Sequence, residues 1–125
     1  MSKPLIAVTA LMALTTLVHV FLGGPEYADS FRATLPADHL RSMAMVLWHA
    51  VTVNLIVFTC AYAFLSRHQN LPLHYALAAI QIGWSGLFLW YGATMLGSIW
   101  PMPQWVIFVM APALAHWGHT RSLSR

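Results

Sequence analysis

The 125-residue chain carries six Lys or Arg and three Asp or Glu, and charged residues make up 7% of it, against about 25% in a typical soluble domain. Hydrophobic residues reach 59% and the mean hydropathy is +0.66, so a surface of ordinary polarity cannot be built from this composition. An ordinary water-soluble globule, a disordered chain and a nucleic-acid module are excluded, and with Cys60 the only cysteine so is a disulfide scaffold. The chain reads as an integral membrane protein, and its net charge of +3 comes from a few scattered basic residues.

The gaps between charges locate the spans. Residues 4–25, 42–66 and 68–120 contain no Asp, Glu, Lys or Arg, and a span needs about 20 apolar residues. The third gap is long enough for two spans. Its middle, Gly97-Ser98-Ile99-Trp100-Pro101-Met102-Pro103, has the Gly and Pro content of a turn. Backbone amides find no water in hydrocarbon, and no strand-like alternation is present, so the segments must be helices.

The prediction is therefore an all-α, integral membrane four-helix bundle, one transmembrane domain over 1–125. Its spans are about 4–22, 42–66, 73–96 and 103–118. An outer loop covers 23–41, with Gly23-Gly24-Pro25 as a helix stop followed by a turn. Residues 5–22 form too long an apolar core for a cleaved signal peptide, and no cleavage site follows Leu22. The fourth span is the shortest, rising only about 24 Å, and Pro112 removes one of its internal hydrogen bonds.

Orientation follows from Lys and Arg in the short connections. Lys3, Arg67, Arg121 and Arg125 fall on one side and Arg32 and Arg41 on the other, which places both termini in the cytoplasm and leaves dual insertion open. All three acids, Glu26, Asp29 and Asp38, lie in the 23–41 segment. The predicted location is the cell inner (plasma) membrane, as a multi-pass protein.

Helices in lipid associate through close packing and polar bonds. On the third span Ala76, Ala79, Gly83, Gly86, Ala93 and Gly97 follow a three-four spacing broken only by Trp90 and make a stripe of small residues that lets a neighbouring backbone approach. Gln81 and Ser85 lie on another face, and Asn54 of the second span is the expected partner of Gln81. With Thr52 these residues are interhelical glue or, in a second reading, the lining of a pore. Trp48, Trp90, Trp100, Trp105 and Trp117 lie near span ends, as in an aromatic belt. Trp84 is near mid-span and its indole needs a partner.

Seven histidines accompany the nine formal charges. His68, His74, His116 and His119 belong to the cytoplasmic side; His19 and His49 fall in the outer half of the membrane. His39 joins Glu26, Asp29 and Asp38 in the outer loop. Neutral imidazole is the commonest metal ligand, and ionisable groups inside a membrane point to function, so His19, His49, His39, Glu26, Asp29 and Asp38 are the candidate metal or haem set. His19 with His49 is the pair suited to a bis-histidine haem. None of His19, His39 and His49 forms the one-turn pair typical of structural zinc sites.

Named families of this size fail residue by residue. Small multidrug-efflux proteins need a Glu in the first span, and 4–22 has no acid. The fluoride-channel signature is absent, disulfide-generating quinone reductases need paired cysteines, and glutathione-using membrane enzymes need more arginines than Arg67, Arg121 and Arg125. No catalytic triad, HExxH, P-loop or dinucleotide signature is present, and the chain is not expected to be an enzyme. The passage His19-Val20-Phe21-Leu22-Gly23-Gly24-Pro25, the run Trp48-His49-Ala50 and the run Pro103-Gln104-Trp105 resemble those of small four-helix bacterial inner-membrane proteins of uncharacterised function. That resemblance implies architecture and no activity.

The functional expectation is an accessory, assembly or stability factor acting through helix–helix contacts. Its partners would be the lipid bilayer and either further copies of the chain or a larger membrane protein, with no nucleic acid. The alternatives are a metal- or haem-binding membrane protein using His19 and His49, and a small oligomeric pore or carrier lined by Thr52, Asn54, Gln81 and Ser85.

Overall fold

The computed structural model describes residues 2–123, with side chains described for 2–120. Arg125 and the side chain of Arg121, both used above for orientation, lie outside the described residues. The chain is all-helical, with no strand among the described residues. Its four helices are α1 (Lys3–Thr34), α2 (Asp38–Leu65), α3 (Leu71–Met95) and α4 (Gln104–Leu123). Three of them, α1, α2 and α3, are long and apolar enough to cross a membrane. The second half of α4 instead carries His116, Gly118, His119 and Thr120.

The segment 23–41, expected as a loop, is helical as far as Thr34 and again from Asp38, which leaves only residues 35–37 between the helices. Between His19 and Ala28 the helix widens to π geometry, with the Asp29 N–H donating to the carbonyl of Gly24, five residues back. Pro25 has no N–H and its ring clashes with the carbonyl four residues earlier in an α-helix. The wider turn accommodates Pro25, so Gly23-Gly24-Pro25 deforms the helix and does not end it. Gly23 has a packing role as well: a Cβ there would lie 2.9 Å from Cη2 of Trp48.

Helix ends elsewhere follow local chemistry. Asn70 caps α3, its side chain accepting from the Leu73 N–H at 3.0 Å, and Pro72 follows in the first turn, where its missing N–H costs nothing. At the other end Gly97 has φ of 67° and the Ser98 N–H donates to the Gly92 carbonyl at 3.1 Å. The helix thus closes on a left-handed glycine just past its end, with a bond that reaches back six residues. The small-residue stripe of α3 therefore ends at Ala93, Gly97 belonging to the turn.

Two compact parts divide the chain, one of residues 2–8 with 61–123 and one of residues 9–60. In the first, α3 and α4 pack along much of their length. Phe108 is buried, its ring 5.4 Å from Trp84 and 5.9 Å from Phe88. Trp84, the indole expected to need a partner, thus sets its ring edge-on against α4. At the end of α4, Gly118 admits the N-terminal segment: a Cβ there would lie 3.1 Å from Pro4 Cβ.

In the second part, α1 and α2 carry threonines whose hydroxyls bond back one turn, Thr15 to Leu11 and Thr16 to Met12, both at 2.8 Å. Such bonds satisfy a hydroxyl within its own helix. Large apolar side chains face outward along these helices, including Phe21, Leu22, Val46 and Leu47.

Candidate functional site

Within residues 9–60 the polar centre is His19. Its ring stacks on Trp48 with centroids 4.0 Å apart and planes 20° from parallel, and its Nε2 lies 3.1 Å from the Thr52 hydroxyl. Thr52 Oγ1 also donates to the Trp48 carbonyl at 3.3 Å. A hydroxyl has one proton, so with that proton on the carbonyl the His19 Nε2–H is the donor to Thr52. Tyr27 stacks on the same indole, its centroid 6.1 Å away. The π-helical turns set this arrangement by bringing His19, Gly23 and Tyr27 to one side, against Trp48.

The other members of the expected metal or haem set are placed differently. His49, His39 and Glu26 are exposed. Asp29 pairs with Arg32 at 3.0 Å, and Asp38 pairs with Arg41, each on its own helical turn and in the open. Exposed pairs of this kind contribute little to stability. Among the described residues no three His, Cys, Asp or Glu side chains come together as a metal-ligand group. Asn54 turns back on its own helix, Nδ2 donating to the Ala50 carbonyl at 2.9 Å.

Within residues 2–8 and 61–123 the buried face of α3 is polar: His74, Gln81 and Ser85 share it with Leu77 and Gly92. Spacings of seven and four keep them on one side of the helix. The Tyr62 hydroxyl donates to Gln81 Oε1 at 2.9 Å, so Gln81 has a partner the sequence did not suggest. Ser85 donates to the Trp105 carbonyl at 3.2 Å, and the Trp105 indole N–H donates to the Ile99 carbonyl at 3.3 Å. These bonds fasten α3 to the start of α4 and the connection before it.

At the opposite end of the same face lies a histidine cluster. His74 is 1% exposed and its Nδ1 has no hydrogen-bond partner among the described residues. Its ring is 4.8 Å from that of His119 and 5.8 Å from that of His116. His119 is buried while His116 is exposed. Burial, and then the neighbouring His116, pull the His119 imidazole below its ordinary range. The sequence signal was available in the one-turn spacing of His116 and His119, but nothing in it placed His74 beside them.

Compared with protein-family models, with curated proteins and with solved structures, the chain matches none.

Proposed function

We propose that the chain is a multi-pass protein of the cell inner (plasma) membrane, both termini cytoplasmic, that acts by lateral helix contact as an accessory, assembly or stability factor for a larger membrane protein. The observation that carries this reading is how the polar groups are used. Gln81 is engaged with Tyr62, Ser85 with the Trp105 carbonyl, His19 with Thr52 and Asn54 with Ala50. Side chains that would line a pore or serve a reaction are committed to holding the chain together. What faces outward on α1, α2 and α3 is large and apolar, as a lipid-facing surface requires.

One outward region suits a neighbouring helix better than lipid. Ala76, Ala79, Gly83 and Gly86 are exposed on α3, and a Cβ added at Gly83 or Gly86 would meet nothing within 4 Å. Small residues at such spacing let a second backbone come close.

The test is affinity purification of the full chain from its native membrane in mild detergent, beside the double variant Gly83→Leu, Gly86→Leu. A protein recovered with the wild type at stoichiometric level, and lost from the folded double variant, is the expected result. Recovery of the chain alone, or a partner held equally well by the variant, overturns the reading.

A further inference from the structure

The chain has seven histidines and three acids, and the acids are confined to one part of it while the histidines occur in both. Glu26, Asp29 and Asp38 all fall within residues 9–60. The compact part formed by residues 2–8 and 61–123 contains His68, His74, His116 and His119 and, among its described residues, no carboxylate. A proton taken up there gains no countercharge from an acidic side chain of that part.

The geometry makes the consequence sharper. His74 sits in the first turns of α3, almost wholly buried, with Nδ1 unbonded among the described residues. His119 is buried beside it at 4.8 Å, and His116 stacks on it at 5.8 Å with planes 23° from parallel. Neutral imidazoles pack well at such distances, whereas charging a buried one is penalised by desolvation and charging two adds like-charge repulsion.

We infer that His74, His116 and His119 form a proton-operated latch between the start of α3 and the end of α4, closed while the three imidazoles are neutral and released when the cluster takes up a proton. This goes beyond the proposed contact role, since it concerns what opens one end of the chain and not what docks on it.

The surroundings reinforce the direction. On α3 the titratable neighbour of His74 is Tyr75, with rings 5.3 Å apart; on α4 the neighbours are His116 and His119. The N-terminal segment that reaches Gly118 brings Lys3, which is exposed. The connection between α2 and α3 brings Arg67 and His68, both exposed, the His68 ring stacked on Phe64 at 4.7 Å. Every group among these that carries charge near neutrality is a cation.

The sign follows by linkage. A histidine in the opened, hydrated state titrates near its ordinary value of about 6.5, while in the closed cluster burial, and then the neighbouring His116, resist protonation of His119. Above that pH both states are neutral and the latch is at full strength; below it the opened state binds more protons, so closure weakens as pH falls.

The experiment is hydrogen exchange on the full chain in lipid nanodiscs, corrected for intrinsic exchange, between about pH 8 and pH 5, a range that brackets ordinary imidazole titration. A chelator is present throughout, so that protons are the only ligand varied. Segments 71–78 and 113–120 are expected to open progressively below about pH 6.5, by up to tenfold per unit for each proton taken up, while 44–55 is unchanged. His74→Gln should remove at least about half of that response and the exposed-site variant His116→Gln a smaller but measurable part, while His68→Gln should retain all of it. A flat wild-type profile in the two segments overturns the latch, as does a His116→Gln profile identical to the wild type; both readings stand even where His74→Gln fails to fold.

Discussion

Tyr62 and Gln81, both fully buried, are joined by a 2.9 Å hydrogen bond from the tyrosine hydroxyl to the amide oxygen, linking the last turn of α2 to the middle of α3. Side-chain bonds in membrane proteins average about 0.6 kcal/mol and reach about 1.7. Tyr62→Phe keeps the ring but takes this bond from the buried Gln81 oxygen, so its cost should lie at or above that range. Gln81→Leu strands a buried hydroxyl, a loss of about 1–3 kcal/mol. Equilibrium unfolding in mixed micelles should therefore show both variants destabilised, and unchanged stability in either would mean the bond is not what fixes this contact.

Adjacent glycines in the π-helical turns should respond oppositely. A methyl at Gly23 would stand 2.9 Å from the Trp48 ring, whereas one at Gly24 meets nothing within 4 Å. The indole is flanked by His19 and Tyr27, so it has little freedom to yield. Gly23→Ala is expected to cost about 1–3 kcal/mol, the usual penalty of overpacking. Gly24→Ala should be neutral or stabilising by up to about 1 kcal/mol through helix propensity. Thermal unfolding of the two variants side by side checks the contrast.

The turn after α3 offers a similar pair. At Gly92 a Cβ would lie 3.0 Å from the Ser98 carbonyl oxygen, which is backbone, and Gly97 holds φ at 67°. Gly97→Ala should cost about 1–2 kcal/mol for the left-handed conformation. Gly92→Ala should cost at least as much, because the bond from the Ser98 N–H to the Gly92 carbonyl holds the opposing backbone in place. Protection of the Ser98 amide from exchange is the local readout, and unaltered protection in Gly92→Ala would contradict the close approach.

His19 should behave as a structural residue. With Nε2 held by Thr52 and the ring flat on Trp48, the expected consequence of Thr52→Val is a loss of about 0.5–1.5 kcal/mol, that of one net hydrogen bond. Purified protein should show no Soret band and less than one metal ion per chain, and His19→Ala or His49→Ala should leave both measurements as they were. A Soret band that disappears in His19→Ala would instead establish haem at this histidine.

Much of the architecture was legible in the residues, for identifiable reasons. Charge-free intervals marked the apolar part of each helix but not its full extent, since α1 continues through Glu26, Asp29 and Arg32 to Thr34. The turn at Gly97 was readable since glycine and the prolines after it act on their own backbone. Gly23-Gly24-Pro25 carries similar signals, yet the helix continues through it. There the wider turn accommodates Pro25, and Trp48, twenty-five residues away, packs where Gly23 leaves room.

The sequence by itself determined that the chain is all-helical, where its apolar helices lie, and that histidines and amides supply its polar chemistry. Composition and charge spacing act locally and need no knowledge of neighbours. Only the tertiary structure decided that Gln81 meets Tyr62, that His19 is taken by Thr52 and Trp48, and that His74 lies with His116 and His119. Each pairing depends on the rotation and axial register of one helix against another, and many side chains at similar depth satisfy the sequence pattern equally well until the packing selects one.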